Sequence, residues 1–392
     1  MELRPAFDRA RARIVELQRS NADADDILRA HSDDVDDIVI EAFEAALAEA
    51  DRAPSGIALV ALGGYGRREL APNSDLDLLL LYRGWSASDV TSLNRAVMYP
   101  LWDSGRELGD RIREPGEVVR SMDEIDEVCA LLDARLLTGD RGLFADLQAT
   151  ASRRLERSRA SFLTSLDKAS RDRHQRYGHA GHLLEPNIRD SAGGLRDIQT
   201  LGWASKALPG GDGLEGLVVA GHLSAIDADL IREARSLLFR LRIELHLITG
   251  RHQDQLYLTE QDEAARRLEV VPLEGRPAAD RLMQQLFLHA RQVDAVVSSF
   301  WDRTMNVPRR RFRAARTESI GDGCVIRGGR IEVVGVTNVA DDPSGWLRVF
   351  RRSVVRDTPL GRTALNRLHE ELEETPSPAW TQEARDVFCD IL

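Results

Sequence analysis

The chain of 392 residues is 43% hydrophobic and 30% charged, a balance typical of a globular protein with two or three domains. Its formal net charge of −11 argues against a general DNA- or RNA-binding surface, and its three distant cysteines argue against a disulfide framework. The N-terminus lacks a signal-peptide core, and no apolar run reaches the roughly 18 residues that span a bilayer. We therefore expect a cytoplasmic protein that does not contact membranes.

The first part of the chain changes from helical to strand-like patterns. Residues 3–50 are predicted to form two helices, because their apolar residues recur at helical spacing. Strand signals follow at 56–63 and 75–82, separated by a glycine turn. A helical pattern over 92–105 leads to a short predicted strand at 107–115. This order predicts a strand–turn–strand–helix–strand unit.

The remainder of the chain is mainly helical in pattern. From residue 123 to about residue 305, helical spacing is broken only by glycine-bearing stretches at 177–197 and 207–216. A basic cluster at 308–316 then precedes a predicted hairpin at 323–335, whose Gly-Gly turn separates two alternating runs. The last residues read as the middle of a helix without a stop signal, so we expect the chain to be cut short.

These patterns predict an α+β fold, with a small mixed sheet and flanking helices embedded in a predominantly helical chain. The predicted segments are N-terminal helices at 1–55, a sheet-containing core at 56–122, a helical domain at 123–305, and a hairpin with further helices at 306–392.

Two aspartates stand at the start of a strand in the stretch GGYGRRELAPNSDLDLLLLY, residues 63–82. Since strand side chains alternate between faces, Asp75 and Asp77 project to one side, where neighbouring carboxylates repel unless a cation lies between them. A hard divalent cation such as Mg²⁺ binds carboxylate oxygens together with substrate phosphates. The turn at Gly63 and Gly64 lets backbone amides approach a nucleoside triphosphate. Either feature alone is more often structural, but together they indicate metal-assisted nucleotidyl transfer.

The same stretch resembles the signature of the DNA polymerase β-like nucleotidyltransferase superfamily, a glycine pair followed by Asp-x-Asp. It is similar in particular to the bifunctional uridylyltransferase/uridylyl-removing enzymes that act on the PII nitrogen-regulatory protein. The segments at 131–144, 176–205, 245–268 and 323–334 follow in that family's order, and the block EPN…GGLRD is specific to it. The resemblance implies that 56–122 is the nucleotidyltransferase core.

The resemblance also implies the reaction and its partners. It implies Mg²⁺-dependent transfer of UMP from UTP to a tyrosine of a PII-type protein, with release of pyrophosphate and with ATP as an alternative donor. Asp75 and Asp77 would be the metal ligands, and one of them would assist deprotonation of the tyrosine. Full-length members continue into an HD hydrolase domain and two ACT domains. Since no His-Asp dipeptide occurs in this chain, we expect neither the uridylyl-removing activity nor the glutamine-sensing parts.

Members of this superfamily normally have a third carboxylate on a neighbouring strand. Asp110 is the first candidate because it lies on the next predicted strand, although an ordinary surface aspartate is an equally good interpretation. Asp133 is the alternative, in a segment where the family carries Asp or Glu. A salt bridge from Asp133 to Arg135 or a neighbouring arginine explains that residue equally well.

Several further residues are candidates for nucleotide binding. Arg67 and Arg68 follow the glycine turn and could contact the triphosphate, although arginines on an exposed turn are more often solvated. The EPN…GGLRD block is interpreted either as a loop and helix start that lines the nucleotide cleft or as packing between the helical domain and the core. The residues of this block are Glu185, Asn187, Arg189, Gly193, Gly194, Arg196 and Asp197, of which Asn187, Arg189 and Arg196 are the candidate nucleotide ligands. His246 and His252 are interpreted as core or surface residues of a long helix.

Two other functions stay open. One is a related transferase with a different acceptor, which would share the metal site. The other is a non-catalytic protein that senses a nucleoside triphosphate or binds PII. The intact Asp-x-Asp motif favours catalysis, because loss of one aspartate is the simplest route to an inactive relative.

Overall fold

The computed structural model describes residues 3–20, 22–272, 275–305, 318–321, 323–327, 330–335, 342–356, 358, 360–375 and 380–391. The chain divides into two compact units, Met1–Ser298 and Ser299–Leu392. The basic cluster at 308–316 and the predicted turn at 328–329 lie outside the described residues. Within the described ranges, every helix is too short or too polar to cross a bilayer.

The two predicted N-terminal helices are confirmed. Helix α1 (Arg4–Arg19) has a proline in its first turn, where the missing amide hydrogen costs nothing. Helix α2 (Ala24–Glu49) begins at Asp23, whose side chain accepts a hydrogen bond from the backbone amide of Asp25 at 2.9 Å. This N-cap satisfies one of the free donors at the start of the helix.

The predicted strand–turn–strand–helix–strand unit is also confirmed. Its elements are β1 (Ile57–Ala61), α3 (Gly63–Gly66), β2 (Leu76–Tyr82), α4 (Ala87–Asp103) and β3 (Leu108–Arg113). Strands β1 and β2 pair antiparallel, whereas β2 and β3 pair parallel. A parallel pair requires a crossover connection, which α4 provides.

A fourth strand, β4 (Arg135–Gly139), pairs antiparallel with β1 and completes a mixed sheet in the order β3-β2-β1-β4. This strand lies inside the segment that we predicted to be almost wholly helical, so that prediction is wrong here. The short apolar run RLLTG suits a helix or a strand, and the available edge of β1 determines the outcome.

Helices make up most of the remaining first unit. They are α5 (Pro115–Ser121), α6 (Ile125–Leu132), α7 (Arg141–Tyr177), α8 (Leu195–Ala207), α9 (Gly213–Val219), α10 (Ala225–Thr249), α11 (Leu258–Arg267) and α12 (Ala278–Met305), the last of which continues into the second unit. The predicted interruptions at 177–197 and 207–216 fall between α7 and α8 and between α8 and α9, although α9 begins within the second one.

The two faces of β2 have different surroundings. Leu78 and Leu80 belong to a buried cluster with Val39 of α2 and Val97 of α4. Because side chains alternate along a strand, Asp77 projects to the opposite face. The leucines therefore anchor the strand in the core while the carboxylate remains available on the other side.

The second unit contains an antiparallel sheet of β5 (Glu318–Gly321), β6 (Cys324–Arg327) and β7 (Arg330–Val333). The pairing of β6 with β7 confirms the predicted hairpin, and β5 is an additional strand. Three helices follow: α13 (Pro343–Val355), α14 (Arg362–Glu374) and α15 (Gln382–Ile391). Ile331 and Trp346 lie in the buried core of this unit.

Candidate active site

A cavity of about 580 Å³ opens beside the face of the first sheet that carries the two aspartates. Side chains from α3, α6, α7, α8 and α10 form its walls. The predicted site residues that line it are Gly63, Gly64, Arg67, Asp75, Asp77, Arg189 and Arg196. The predicted residues outside its lining are Arg68, Asp110 and Asn187. Residues far apart in the sequence thus meet around the Asp-x-Asp motif.

The two aspartates have different electrostatic environments. Burial raises the pKa of Asp77, and the charge of Asp75 adds to that rise while Arg111 opposes it. The pKa of Asp75 is lowered, chiefly because its carboxylate interacts with the imidazole of His252. Oδ1 of Asp75 is also buried without a hydrogen-bond donor. A cation near both carboxylates would relieve their repulsion, so the residues present fit a divalent metal ion.

Two glycines leave room for the Asp77 carboxylate. A Cβ atom on Gly63 would lie 3.0 Å from Oδ2 of Asp77, and a Cβ atom on Gly109 would lie 2.5 Å from Oδ1. Gly63 also has a φ of +54°, which side-chain-bearing residues rarely adopt. The glycine turn therefore has a second role besides exposing backbone amides, because it lets the backbone lie directly against the Asp77 carboxylate.

Asp110 does not join this site. In the parallel register, Asp77 lies opposite Gly109 and Leu78 lies opposite Asp110. Asp110 therefore shares the face of Leu78, and Nδ2 of Asn94 on α4 donates a hydrogen bond to it at 3.0 Å. The structure thus contradicts Asp110 as a third metal ligand, since a shift of one residue along a strand reverses the face.

Asp133, the alternative third carboxylate, lines the cavity but is already committed to other partners. Its side chain is only 2% exposed and forms an ion pair with Arg67. Its Oδ2 also accepts a hydrogen bond from Nε1 of Trp203 at 2.9 Å, and Nζ of Lys206 lies 3.7 Å from Oδ1. Asp133 therefore joins α6 to α3 and α8, rather than presenting free oxygens. Its expected salt bridge forms with Arg67 in place of Arg135.

Glu107 and His252 lie beside Asp75, and the sequence analysis did not predict this position for either residue. The possible ligand atoms of Asp75, Glu107 and His252 all lie within 4.8 Å of one another. Helix α10 ends at Thr249 and Gly250 adopts the left-handed conformation, so His252 lies beyond the helix to which we assigned it. The turn redirects the chain, and Nδ1 of His252 comes within 3.5 Å of Oδ1 of Asp75.

His246 lies on α10 and is fully buried, in agreement with its interpretation as a core residue. Its backbone carbonyl accepts a hydrogen bond from Nδ2 of Asn73 at 2.7 Å, and its Nδ1 accepts one from the Asn73 amide at 3.3 Å. These contacts attach the segment that leads into Asp75 to α10. Burial lowers the pKa of His246 to about 4, so this ring is neutral near pH 7.

The cavity carries arginines that differ in how fully they are paired. Arg67 is saturated, because Nε lies 2.7 Å from Oε2 of Glu69 and Nη1 pairs with Asp133. Arg196 lies over the ring of Trp203 at 5.4 Å and reaches Asp190 only at 3.7 Å. Burial, followed by the charge of neighbouring Arg189, lowers the pKa of Arg196 to about 10.

Arg189 likewise has only a distant acidic partner, with Nη1 lying 3.5 Å from Oδ2 of Asp254. Arg196 and Arg189 thus place adjacent positive charges on the cavity wall with incomplete compensation. An anionic group would relieve their mutual repulsion, and guanidinium groups bind phosphate oxygens in pairs.

The EPN…GGLRD block contributes both to the cavity lining and to contacts that hold its own loop. Arg189 and Arg196 face the cavity, whereas Asn187 holds the loop through hydrogen bonds from the amides of Arg189 and Asp190 at 3.0 and 2.7 Å. Asp197 is fully buried. It accepts hydrogen bonds from Nη2 of Arg173 at 2.6 Å and from the Gly193 amide at 2.7 Å. Since Asp197 itself occupies the start of α8, that helix end does not offer an anion site.

Arg68 lies away from the cavity. Its φ is +59°, and its Nη1 lies 2.9 Å from Oδ1 of Asp33 with both side chains substantially exposed. It therefore forms a surface ion pair, in agreement with the solvated alternative.

Two family models match parts of the chain. The model for GlnD PII-uridylyltransferase matches residues 161–301, and the DUF294 nucleotidyltransferase model matches residues 8–102. The first match contains the cavity arginines Arg189 and Arg196, and the second contains the glycine turn and the Asp-x-Asp motif.

The chain is also similar to proteins named bifunctional uridylyltransferase/uridylyl-removing enzyme. It is 33% identical to the protein of Streptomyces coelicolor over 86% of this chain and 40% of that relative. It is 35% identical to the protein of Cupriavidus pinatubonensis over 79% of this chain and 36% of that relative. For the protein of Azospirillum brasilense the identity is 30% over 85% of this chain and 37% of that relative. The chain therefore spans at most 40% of the length of these relatives.

Proposed function

We propose, from the similarity of this chain to the bifunctional uridylyltransferase/uridylyl-removing enzymes, that it is a metal-dependent nucleotidyltransferase. The proposed reaction transfers UMP from UTP, or AMP from ATP, to a tyrosine hydroxyl of a PII-type protein and releases pyrophosphate. The observation that carries the proposal is the position of Asp75 and Asp77 in a cavity that also contains Arg189 and Arg196.

The carboxylates of Asp75 and Asp77 would hold the cation, with Glu107 as a further donor beside Asp75. When bound, Mg²⁺ would neutralise charge on the triphosphate and activate the attacking oxygen. Carboxylate oxygens are the ligands that Mg²⁺ prefers, whereas an imidazole suits softer divalent ions better. Accordingly, we assign His252 mainly to orienting Asp75.

The remaining cavity residues would bind and orient the nucleotide. Arg189 and Arg196 would bind phosphate oxygens, because among the described residues their nearest acidic partners lie 3.5 and 3.7 Å away. Gly63 and Gly64 let a phosphate approach the backbone of α3 without an intervening side chain. Arg67, which is saturated by Glu69 and Asp133, shapes the wall rather than contacting the triphosphate.

The PII-type acceptor follows from the description of the family model that matches residues 161–301, GlnD PII-uridylyltransferase. A tyrosine hydroxyl is the acceptor group that the resemblance to that family implies. Transfer to a protein hydroxyl requires that the hydroxyl oxygen reach the α-phosphate opposite the departing pyrophosphate. One carboxylate of the pair, Asp75 or Asp77, would accept the tyrosine proton.

Position-specific isotope labels test this proposal. The chain is incubated with a PII-type protein, MgCl₂ and either UTP or ATP, labelled with ³²P at the α- or the γ-phosphate. Nucleotidyl transfer places the α label on the acceptor and the γ label in pyrophosphate. Label on the acceptor from the γ position would contradict the proposal, because it indicates phosphoryl transfer.

The same assay separates the two alternative functions. Nucleotide binding without transfer to any tested acceptor would favour a non-catalytic sensor. Formation of labelled pyrophosphate with a different protein or small molecule, but not with PII, would favour a related transferase with another acceptor.

A further inference from the structure

A second group of possible metal ligands lies outside the cavity, where α7 ends. His174 occupies the last turn of α7, His179 follows the turn at Gly178, and Asp294 lies on α12. A third histidine, His182, stands in the short 3₁₀ turn Ala180–His182. None of these four side chains belongs to the lining of the nucleotide cavity, and the proposed function gives them no role.

The imidazole of His174 lies close to the carboxylates of Asp197 and Asp294, and the imidazole of His179 lies beside Asp294. Nδ1 of His179 lies 3.1 Å from Oδ2 of Asp294. Possible ligand atoms of His174, Asp197 and Asp294 lie within 4.8 Å of one another, and the rings of His174 and His179 have centroids 6.2 Å apart. Bonds of about 2.0–2.1 Å from zinc to nitrogen place the ring centroids of two ligands of one ion at most roughly 6 Å apart. A small rotation of either ring therefore lets both reach a common ion.

We propose that His174, His179 and Asp294 bind one divalent transition-metal ion, with Zn²⁺ as the representative case. Two imidazole nitrogens and one carboxylate oxygen form a ligand set that suits Zn²⁺, Co²⁺ or Ni²⁺ better than Mg²⁺ or Ca²⁺. Three protein ligands leave at least one coordination position for water.

Asp197 supports the proposed site from the buried side. Its Oδ1 lies 2.8 Å from Nε2 of His174, and the carboxylate is held in place by Arg173 and the amide of Gly193. A carboxylate that contacts a ligating imidazole orients the ring and strengthens it as a ligand. The two carboxylates, Asp197 and Asp294, outweigh the single charge of Arg173, so the local charge favours a cation.

The exposed side of the cluster gives an ion a route from solvent. The side chain of His179 is 53% exposed and that of Asp294 is 30% exposed. The ring of His182 is nearly parallel to that of His179, at 29° and a centroid distance of 6.1 Å. Stacked rings present faces to each other rather than nitrogens to a shared point, so His182 packs against a ligand and does not complete the set.

Occupation of the site would connect α7, the loop before α8, and α12. Arg173, which precedes His174, lines the nucleotide cavity and shares Asp197 with it. The proposed ion therefore stabilises one wall of the cavity without contacting the nucleotide. An ion that binds only the folded chain also raises its melting temperature as the free concentration increases.

Cobalt substitution tests the proposal on the full chain, without nucleotide. Co²⁺ is titrated into metal-free protein while its visible d–d absorption is followed, and Zn²⁺ binding is measured by calorimetry. We expect one Co²⁺ per chain with an absorption spectrum typical of mixed nitrogen and oxygen ligands, besides any ion held by Asp75 and Asp77. His179→Ala and Asp294→Asn should each weaken binding at least tenfold, the scale expected for loss of a ligand or its support.

Two histidine variants serve as controls. His222→Ala changes a histidine outside the cluster, and His252→Ala removes the histidine beside Asp75. Both variants should retain the Co²⁺ absorption.

The proposal is overturned if the wild-type chain binds no Co²⁺ or Zn²⁺, if His179→Ala and Asp294→Asn bind as tightly as wild type, or if His252→Ala abolishes the absorption. Circular dichroism in EDTA checks that each variant is folded, and Asp294→Asn preserves the side-chain shape. Because the readout is metal binding, its failure leaves the test of nucleotidyl transfer unaffected.

Discussion

The imidazole of His252 joins two carboxylates, with Nδ1 lying 3.5 Å from Oδ1 of Asp75 and Nε2 lying 3.2 Å from Oδ2 of Asp254. Asp254 is in turn held by Nε of Arg242 on α10 at 2.7 Å. The position of Asp75 therefore depends on His252, whose side chain comes from a distant part of the sequence. This connection fixes the position of one of the two proposed metal ligands.

The first prediction concerns the pH dependence of stability. Contact with Asp254, followed by contact with Asp75, raises the pKa of His252 from 6.5 to about 9. A raised pKa in the folded state means that the stabilisation is fully present below about pH 6.5 and is lost as the pH rises through about 9. In EDTA, we expect the melting temperature of the wild-type chain to fall over this interval more steeply than that of His252→Gln. Parallel curves for the two proteins would contradict the assigned contacts.

The second prediction concerns the two aspartates. Asp75→Asn and Asp77→Asn should each reduce nucleotide transfer at least about a hundredfold, the scale for loss of one electrostatic contact to a transition state. Asp77→Asn also removes a buried carboxylate whose pKa is raised, so the melting temperature in EDTA should stay the same or rise slightly. Asp75→Asn instead loses the charged contact with His252, so its melting temperature in EDTA should fall slightly. Transfer rates and thermal melts on the same preparations test both parts.

Asp110→Asn is the matched control for these variants. Asp110 hydrogen-bonds to Asn94 on the opposite face of the sheet, so its loss should cost only about 1 kcal/mol of stability and leave transfer within a few fold of wild type. Loss of transfer comparable to that in Asp77→Asn would restore Asp110 as a site residue.

The contrast between Asp77 and Asp110 shows which part of the candidate site can be predicted from the sequence. Alternation along one strand is a local property, so the shared face of Asp75 and Asp77 follows from their spacing. The position of Asp110 depends on the register between two strands, which no local pattern specifies. The structure pairs Gly109 with Asp77, and Asp110 consequently faces α4.

His252 and β4 are two further features that local sequence patterns do not predict. His252 follows a long helical pattern, but the left-handed turn at Gly250 ends the helix and redirects the chain toward Asp75. The run that forms β4 becomes a strand because it pairs with β1. The helices, the order of the first three strands and the Asp-x-Asp motif were predictable, whereas contacts between distant segments required the fold.

The third prediction concerns the space that glycine provides for Asp77. Gly109→Ala introduces a Cβ atom 2.5 Å from Oδ1 of Asp77, and the flexible carboxylate should move rather than the strand. We expect transfer to fall at least tenfold, and Mg²⁺ affinity to weaken, while the chain remains folded. Kinetics at several Mg²⁺ concentrations, together with a thermal melt, measure these effects.

Gly202→Ala is the control for that substitution. Gly202 lies within α8, and a Cβ atom there would meet no heavy atom within 4 Å. Alanine in a helix interior is favoured over glycine by about 0.5–1 kcal/mol, so this variant should be slightly more stable and fully active. Equal effects of the two substitutions would contradict the specific role of Gly109.

The fourth prediction concerns phosphate recognition. Arg196→Gln should weaken binding of a non-hydrolysable nucleoside triphosphate about tenfold or more, because it removes a charge-assisted contact in a partly buried site. Arg68→Gln removes an arginine from an exposed ion pair with Asp33 and should leave nucleotide affinity unchanged. Calorimetry with the same nucleotide compares the two. Equal affinity losses would indicate a general charge effect in place of a defined phosphate contact.

Intact mass spectrometry tests the central claim most directly. A PII-type protein from the same source is incubated with the wild-type chain or its Asp75→Asn, Asp77→Asn double variant, with Mg²⁺ and either UTP or ATP. The proposed function predicts a mass gain of one uridylyl or adenylyl group per acceptor subunit with the wild-type chain and none with the double variant. No gain with either nucleotide, or an equal gain with the double variant, would contradict transfer by the Asp75–Asp77 site.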